Sequence, residues 1–235
     1  QFMLTEEAHH MFVGQTGIAR VIRRTCEVMN EKPDADLMAE GVIPLETIQR
    51  YINFWASSST DLYGAEISSN SANFFRSGLK GRAYEERYSD HLALEQSYVV
   101  ENLVEGRLVT EEVPLRNAMN EVLRDEYVKD CERALRKLNR ILEEEGSEHR
   151  VRLPSRRFHR HQGIYADHYF DPDGELIDEA SFEANASKWL LGPEDKRYLD
   201  SIMKPVREPG KFANWIAPPL RGINSQAVEF EYVRL

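Results

Sequence analysis

Two glutamate–histidine pairs near the amino end are the side chains best suited to chemistry. Glu6 precedes His9 by three positions, and Glu7 precedes His10 by three. Residues three apart lie on one face of a helix, so a carboxylate oxygen and an imidazole nitrogen can reach a common metal ion. The same spacing also occurs by chance as an exposed charge pair, so the motif is a hypothesis that its surroundings must support.

The surroundings favour the second pair. The pairs lie inside an apolar run that contains Phe2, Met3, Leu4, Met11, Phe12 and Val13. On a helix, Glu7 and His10 share their face with Met3, Gly14, Gly17 and Val21. The two glycines leave room beside a metal ion, and a buried charge needs a partner or a metal. We therefore predict that Glu7 and His10 face an interior and bind a metal.

Composition limits the class of protein. The 235 residues are 41% hydrophobic and 30% charged, which is typical of a soluble globular protein. A net charge of −10 argues against broad nucleic-acid binding, which needs a basic surface. The sequence has no signal peptide and no apolar run of about 18 residues, so we expect no membrane partner. Cys26 and Cys131 lie far apart, and we expect a reducing, cytoplasmic location.

Helical spacing of apolar residues dominates the chain and predicts a mainly α fold. Predicted helices cover residues 2–30, 45–58, 60–75, 83–105, 114–145, 178–189 and 193–204. The helix over 114–145 has the strongest pattern, and Gly146 occupies its stop position. We predict a helical part over residues 1–146. Residues 147–235 are predicted to form an irregular extension with short helices and a terminal strand near 228–232, where apolar and acidic residues alternate.

The chain opens inside a helical pattern. There is no initiator methionine, and no capping residue precedes the first apolar position. We expect the sequence to be a fragment whose N-terminal part is missing.

A basic segment follows the long helix. Residues 149–161 hold five arginines and three histidines with no acidic residue. One interpretation is a surface loop paired with acidic neighbours, and the other is an anion site, because arginine binds phosphates through paired donors. The candidate anion-binding residues are Arg156, Arg157 and Arg160, together with Lys80 and Arg82 from a basic pair further upstream. A weaker alternative is a metal site formed by His159, His161, Asp167 and His168, although no helix or strand spacing joins these residues.

Three stretches of the chain resemble a known family, the oxygenase component of benzoyl-CoA 2,3-epoxidase. They are residues 4–14 (LTEEAHHMFVG), the region from 61–66 (DLYGAE) to 78–82 (GLKGR), and the tail of 212–219 (FANWIAPP) with 228–234 (VEFEYVR). The chain looks like the C-terminal half of that component.

The resemblance implies a ferritin-like helical bundle with a di-iron centre, of which this chain would supply only part. A separate reductase would deliver electrons from NADPH, and one atom of dioxygen would enter the aromatic ring of benzoyl-CoA. Glu7 and His10 would be iron ligands from the fourth core helix. The basic candidates would hold the phosphates of the CoA moiety.

The chain departs from the family pattern in one respect. Residues 11–235 contain no second Glu-x-x-His, so the other ligand helices of the bundle, with their own carboxylates, are expected upstream of Gln1. Two ligands hold one iron poorly and two irons not at all. Two alternatives therefore stay open: a non-catalytic helical fragment or interaction domain, and a ferritin-like oxidase that acts on another substrate.

Overall fold

A computed structural model of the chain describes residues 2–67, 96–222 and 225–234. Within these ranges the fold is mainly α, which confirms the predicted class. The described ranges contain the α-helices α1 (Phe2–Glu31), α2 (Leu45–Asp61), α3 (Met119–Glu144), α4 (Glu179–Trp189) and α5 (Pro193–Ile202). Short 3-10 turns cover Leu115–Asn117 and Gly163–Tyr165.

The strands of the described ranges form three two-stranded sheets. An antiparallel hairpin joins β1 (Ser97–Val104) to β2 (Arg107–Pro114). A very short antiparallel pair joins β3 (Tyr169–Phe170) to β4 (Leu176–Ile177). Near the end of the chain, β5 (Lys211–Ala213) runs parallel to β6 (Glu231–Val233), so the predicted terminal strand is present at a slightly later position.

The predicted helix boundaries hold where the sequence carries a cap. Gly146 follows α3 with φ of +77°, the left-handed conformation that glycine adopts most easily. The carboxylate of Asp178 accepts a hydrogen bond of 2.6 Å from the Ser181 backbone N–H and caps α4. Pro193 opens α5, where the Asp195 carboxylate accepts a hydrogen bond of 3.0 Å from the Gly192 backbone N–H.

The helix predicted over 83–105 is wrong at its end, because residues 97–104 form strand β1. The pairing runs from Ser97 opposite Pro114 to Val104 opposite Arg107, around a two-residue turn. Both turn residues, Glu105 and Gly106, have positive φ, at 50° and 73°. Such a turn suits the twist of a hairpin, and the valines on both strands favour extended backbone.

The helix predicted over 60–75 also ends early. Helix α2 stops at Asp61, and residues 62–67 form a turn and bends. Gly64 has φ of +77° there, which breaks the helical conformation. The rest of that prediction, residues 68–75, lies outside the described ranges.

The chain divides into two compact units. The first unit comprises residues 1–51, 133–152 and 190–235, and the second comprises residues 52–132 and 153–189. Buried apolar residues of the first unit include Ile22, Val42, Leu45, Leu142, Val151 and Leu199. Those of the second include Val100, Leu115, Met119, Phe158, Tyr165 and Phe170. The division at residue 146 that we predicted from sequence stays a prediction.

Across the described ranges, no helix is both long enough and apolar enough to cross a bilayer.

Candidate functional site

Glu7 and His10 lie on one face of α1, as their spacing predicts. The Glu7 Oε2 atom is 3.8 Å from Nδ1 of His10, and Oε2 of Glu6 is 4.0 Å from Nε2 of the same imidazole. His10 therefore lies within reach of both neighbouring carboxylates.

We predicted that Glu7 and His10 face an interior, but in this chain both side chains are exposed. The side chains of Glu7 and His10 are 69% and 63% exposed. Their apolar neighbours Met11 and Phe12 are 74% and 66% exposed. In contrast to the prediction from sequence, burial within this chain does not require the pair to bind a metal.

The same half of α1 has open space beside it. A side chain added at Gly14 or Gly17 would meet no atom within 4 Å. Farther along, α1 becomes buried, with Ile22 fully enclosed and Cys26 nearly so. The helix is thus anchored by its second half and presents its first half to the surroundings.

The donor set does not complete a metal site. Carboxylate and imidazole are suitable ligands for iron, but a di-iron centre in a ferritin-like bundle takes ligands from four helices. In the described part of the chain, no group of three or more histidine, cysteine, aspartate or glutamate side chains is placed to hold a metal ion. Glu7 and His10 fit as two ligands, and these residues alone do not fit a di-iron centre.

The second half of α1 is held by the tail of the chain. Arg24 donates from Nε to the Asn214 backbone carbonyl at 3.0 Å and from Nη2 to the Asn214 side-chain oxygen at 2.7 Å. Its guanidinium also lies 3.7 Å from the centre of the Tyr232 ring, a cation–π geometry. Tyr232 in turn donates to Glu27 at 3.1 Å.

One turn earlier, Arg20 extends the attachment. Its Nε donates to the Ala217 carbonyl at 2.6 Å, and its own carbonyl accepts the Ala217 backbone N–H at 3.1 Å. The tail motifs that carried the family resemblance are therefore the segments that fix the helix bearing Glu7 and His10.

The predicted anion-binding arginines are engaged with carboxylates. Arg156 pairs with Glu121, and it pairs with Asp125 at 2.6 Å. Arg157 makes two hydrogen bonds to Glu101, at 2.9 and 2.6 Å. These contacts agree with the interpretation of the basic segment as paired with acidic neighbours.

Arg160 is wholly buried. Its side chain is 0% exposed and pairs with Asp61 and Glu66. Further donors reach the carbonyls of Arg156 at 3.2 Å and Gln162 at 3.1 Å. An anion in solution has no access to this guanidinium, so its role in the chain is structural.

A second buried arginine, Arg124, completes the network. It is 0% exposed, pairs with Glu121, and lies 3.7 Å from Oε1 of Glu66. It also donates to the carbonyls of Thr60, at 3.2 Å, and Gly64. Burial, followed by the positive charge of Arg160, lowers the pKa of Arg124 to about 10.

The carboxylates that pair with these buried arginines were not predicted from the sequence. Glu66 accepts a 2.8 Å hydrogen bond from the Ile164 backbone N–H besides its arginine contacts. The stretch 61–66 carries part of the family resemblance, but the sequence predicted no role for its acidic residues. The (i, i+3) spacing of Glu121 and Arg124 on α3 was a detectable signal of a helical ion pair.

A groove borders Arg156 in the second unit. Its volume is about 380 Å³. Its lining holds three carboxylates, Asp125, Glu132 and Asp173, against one arginine, Arg156, with Leu153, Pro154 and Pro172 as apolar walls. This charge balance disfavours a phosphate group in the groove.

Several predicted positions lie outside the described ranges. These are the basic candidates Lys80 and Arg82, together with residues 68–75 and 83–95 of two predicted helices.

Comparison with known proteins identifies a relative. Over an alignment 238 positions long, the chain is 50% identical to benzoyl-CoA oxygenase component B of Aromatoleum evansii. The alignment includes the whole of this chain and spans about half the length of that relative. No family model matches the chain. The similarity confirms the family resemblance drawn from the sequence motifs.

Proposed function

We propose that this chain, as a relative of benzoyl-CoA oxygenase component B, forms part of an oxygenase that acts on benzoyl-CoA. The observation that carries the proposal is the 50% identity over the whole chain. Identity at this level and over this length supports a shared reaction. The specific reaction we propose is epoxidation of the aromatic ring at the 2,3 position.

We further propose that Glu7 and His10 are two of the ligands of a di-iron centre in a ferritin-like bundle. Their spacing on α1 and the 3.8 Å approach of their donor atoms support this role. Iron, when bound, would supply the activation of dioxygen. The chain's own contribution is to hold one carboxylate and one imidazole on a helix whose second half is fixed by the tail.

The exposed first half of α1 is consistent with this arrangement. Met3, Met11, Phe12 and Val13 are 79%, 74%, 66% and 53% exposed. Large exposed apolar patches mark surfaces that another element covers. In the proposal, the remaining helices of the bundle pack around this half of α1 and bring the additional ligands that two donors require.

The word component in the relative's name supports a system of several proteins. We propose a reductase partner that passes electrons from NADPH, and a cytoplasmic location for the assembly. The CoA phosphates are proposed to contact Lys80 and Arg82. Arg156 and Arg157 are left out of this set because carboxylates already pair with them. Arg160 is left out of this set because its side chain is fully buried.

The neighbouring Glu6 and His9 provide matched controls for the test. The oxygenase assembly containing this chain would be loaded with ferrous iron, and its iron content and benzoyl-CoA-dependent oxygen uptake measured. Glu7→Ala and His10→Ala should each lower both quantities strongly. Glu6→Ala and His9→Ala change the same residue types on the same exposed turns and should retain both.

Two results would contradict the proposal in different ways. If all four variants keep their iron, Glu7 and His10 are not ligands. If the intact assembly consumes no oxygen with benzoyl-CoA, the substrate is wrong, whatever the iron content.

One observation favours a second candidate function, that of a non-catalytic interaction domain. The exposed apolar side chains in the first half of α1 are suited to association with another protein even without a metal. Sedimentation of the purified chain, with and without Phe12→Glu, measures this association. Metal-free association that Phe12→Glu abolishes, together with inactivity of the assembly, would support the interaction domain instead.

A further inference from the structure

His159 and His161 flank the buried Arg160 and contact each other. Their ring centroids are 4.6 Å apart, and the rings meet edge to face at 80°. On its other side the His159 ring lies parallel to that of Phe182 in α4, at 6.0 Å and 2°. Neither histidine has a part in the proposed oxygenase chemistry.

The conformation of His159 is imposed by its surroundings. Its φ is +50°, a left-handed value that residues with side chains adopt seldom. Its Nδ1 atom is buried and has no hydrogen-bond partner among the residues that the structure describes. The following residues hold the segment in place, since the His161 backbone N–H donates to Asp61 at 2.9 Å and Arg160 pairs with the same carboxylate.

The groups that face His159 differ in their effect on its charge. Burial, followed by the positive charge of His161, lowers its pKa, whereas Asp61 at the end of α2 acts in the opposite direction. Arg160, which lies between the two histidines in sequence, directs its charge to Asp61 and Glu66. Phe182 from α4 and Phe158 from the preceding turn are apolar and give an imidazolium no hydrogen-bond acceptor.

We propose that the His159–His161 pair is an acid-sensitive latch that keeps α4 packed on the 156–161 segment while the His159 ring is uncharged. A proton on His159 would place a positive charge against the His161 ring, whose centroid is 4.6 Å away. It would also create a buried Nδ1–H that lacks an acceptor in the described part of the chain. Both effects oppose the packed state.

The direction of the pH dependence follows from the ordinary histidine pKa of 6.5. In the unlatched state, His159 takes up a proton as the pH falls below about 6.5. In the packed state the pKa of His159 is lowered, so the ring takes up the proton only at a lower pH. The latch is therefore fully stable above about pH 6.5. Its stability decreases as the pH falls from 6.5 through the lowered pKa that His159 has in the packed state.

Release would loosen the aromatic cluster around α4. Phe182 contacts Phe158 at 6.0 Å and Trp189 at 5.7 Å between ring centroids. Phe158 of the basic segment contacts both of these α4 rings, Phe182 and Trp189. The amide protons of residues 179–189 should report the change.

The test combines hydrogen exchange with histidine titration by NMR. In the wild-type chain, protection of the 179–189 amides, corrected for intrinsic rates, should be lost progressively as the pH falls from 7.5 to 5.5, because the packed state binds the His159 proton more weakly than the released state. His159→Phe keeps a ring against Phe182 but cannot take up a proton, so its protection should not depend on pH. Equal loss of protection in wild type and variant would overturn the latch.

His161→Gln gives a second measurement that does not depend on how well His159→Phe folds. Removing the neighbouring imidazole should raise the titration midpoint of His159, and an unchanged midpoint would show that the two rings are not coupled. His168→Gln is the matched control, because His168 also has a buried, unpartnered Nδ1 in the described chain but no histidine ring stacked on it. It should keep the wild-type loss of protection in acid.

Discussion

Arg160 and Glu66 form a buried ion pair, in which Nη2 of the arginine lies 3.2 Å from Oε1 of the glutamate. The two side chains are 0% and 2% exposed. They lie 94 positions apart in sequence, so the pair fixes the loop after α2 against the basic segment. Arg124 approaches the same Glu66 oxygen at 3.7 Å, which makes one carboxylate the centre of two buried positive charges.

Removal of the Glu66 charge should therefore destabilise the chain strongly. Glu66→Gln leaves Arg124 and Arg160 buried with less compensating charge, and breaking a buried pair costs about 3–5 kcal/mol. Urea denaturation followed by circular dichroism measures the loss. Glu194→Gln is the control, because Glu194 is 90% exposed in its pair with Arg197 and should change stability by less than about 1 kcal/mol. Similar midpoints for both variants would show that the Glu66 network contributes little.

Gly163 should tolerate no side chain. Its φ is +80°, and an added Cβ would lie 2.0 Å from Oε2 of Glu66. Gly106 is a matched control, with φ of +73° and no atom within 4 Å of an added Cβ. Gly106→Ala should cost only the backbone strain of about 1–2 kcal/mol, and Gly163→Ala should cost clearly more. Equal free energies of unfolding for the two variants would contradict this contact.

Arg24 should control attachment of the tail to α1. Arg24→Met keeps an apolar stem but removes the hydrogen bonds to Asn214 and the charge over Tyr232. We expect faster hydrogen exchange in residues 211–217 and 231–233 and easier proteolysis there. Tyr232→Phe keeps the ring and loses only the hydrogen bond to Glu27, so its effect should be about 1 kcal/mol. A larger effect from Tyr232→Phe than from Arg24→Met would assign the attachment to Glu27 instead.

Glu101 should contribute to acid resistance. Hydrogen bonds from Arg157 and then from Tyr165 hold its pKa below the usual 4.5. The stability it contributes is present above about pH 4.5 and is lost as the pH falls through the lowered folded value. Arg157→Gln removes the largest cause, so the acid-unfolding midpoint should rise. Lys211→Gln, which removes an exposed pair with Glu208, should leave that midpoint unchanged.

Local sequence signals predicted the helices well. Helices α1, α3, α4 and α5 depend on apolar spacing and on caps such as Asp178 and Gly146, which act within a few residues. The hairpin over residues 97–114 was missed because charged and tyrosine residues around it obscured the alternation of its valines. Its turn also uses Glu105 and Gly106 in place of the more familiar asparagine–glycine pair.

The sequence by itself determined that Glu7 and His10 share a helix face, because the helical repeat alone places residues three positions apart together. Only the tertiary structure decided that this face is exposed in the chain and that the second half of α1 is held by the tail. Only the tertiary structure, too, paired Arg156, Arg157 and Arg160 with acids from distant segments. Sequence shows that such a segment is basic, but the partners of its charges depend on which parts of the chain the fold brings within about 4 Å.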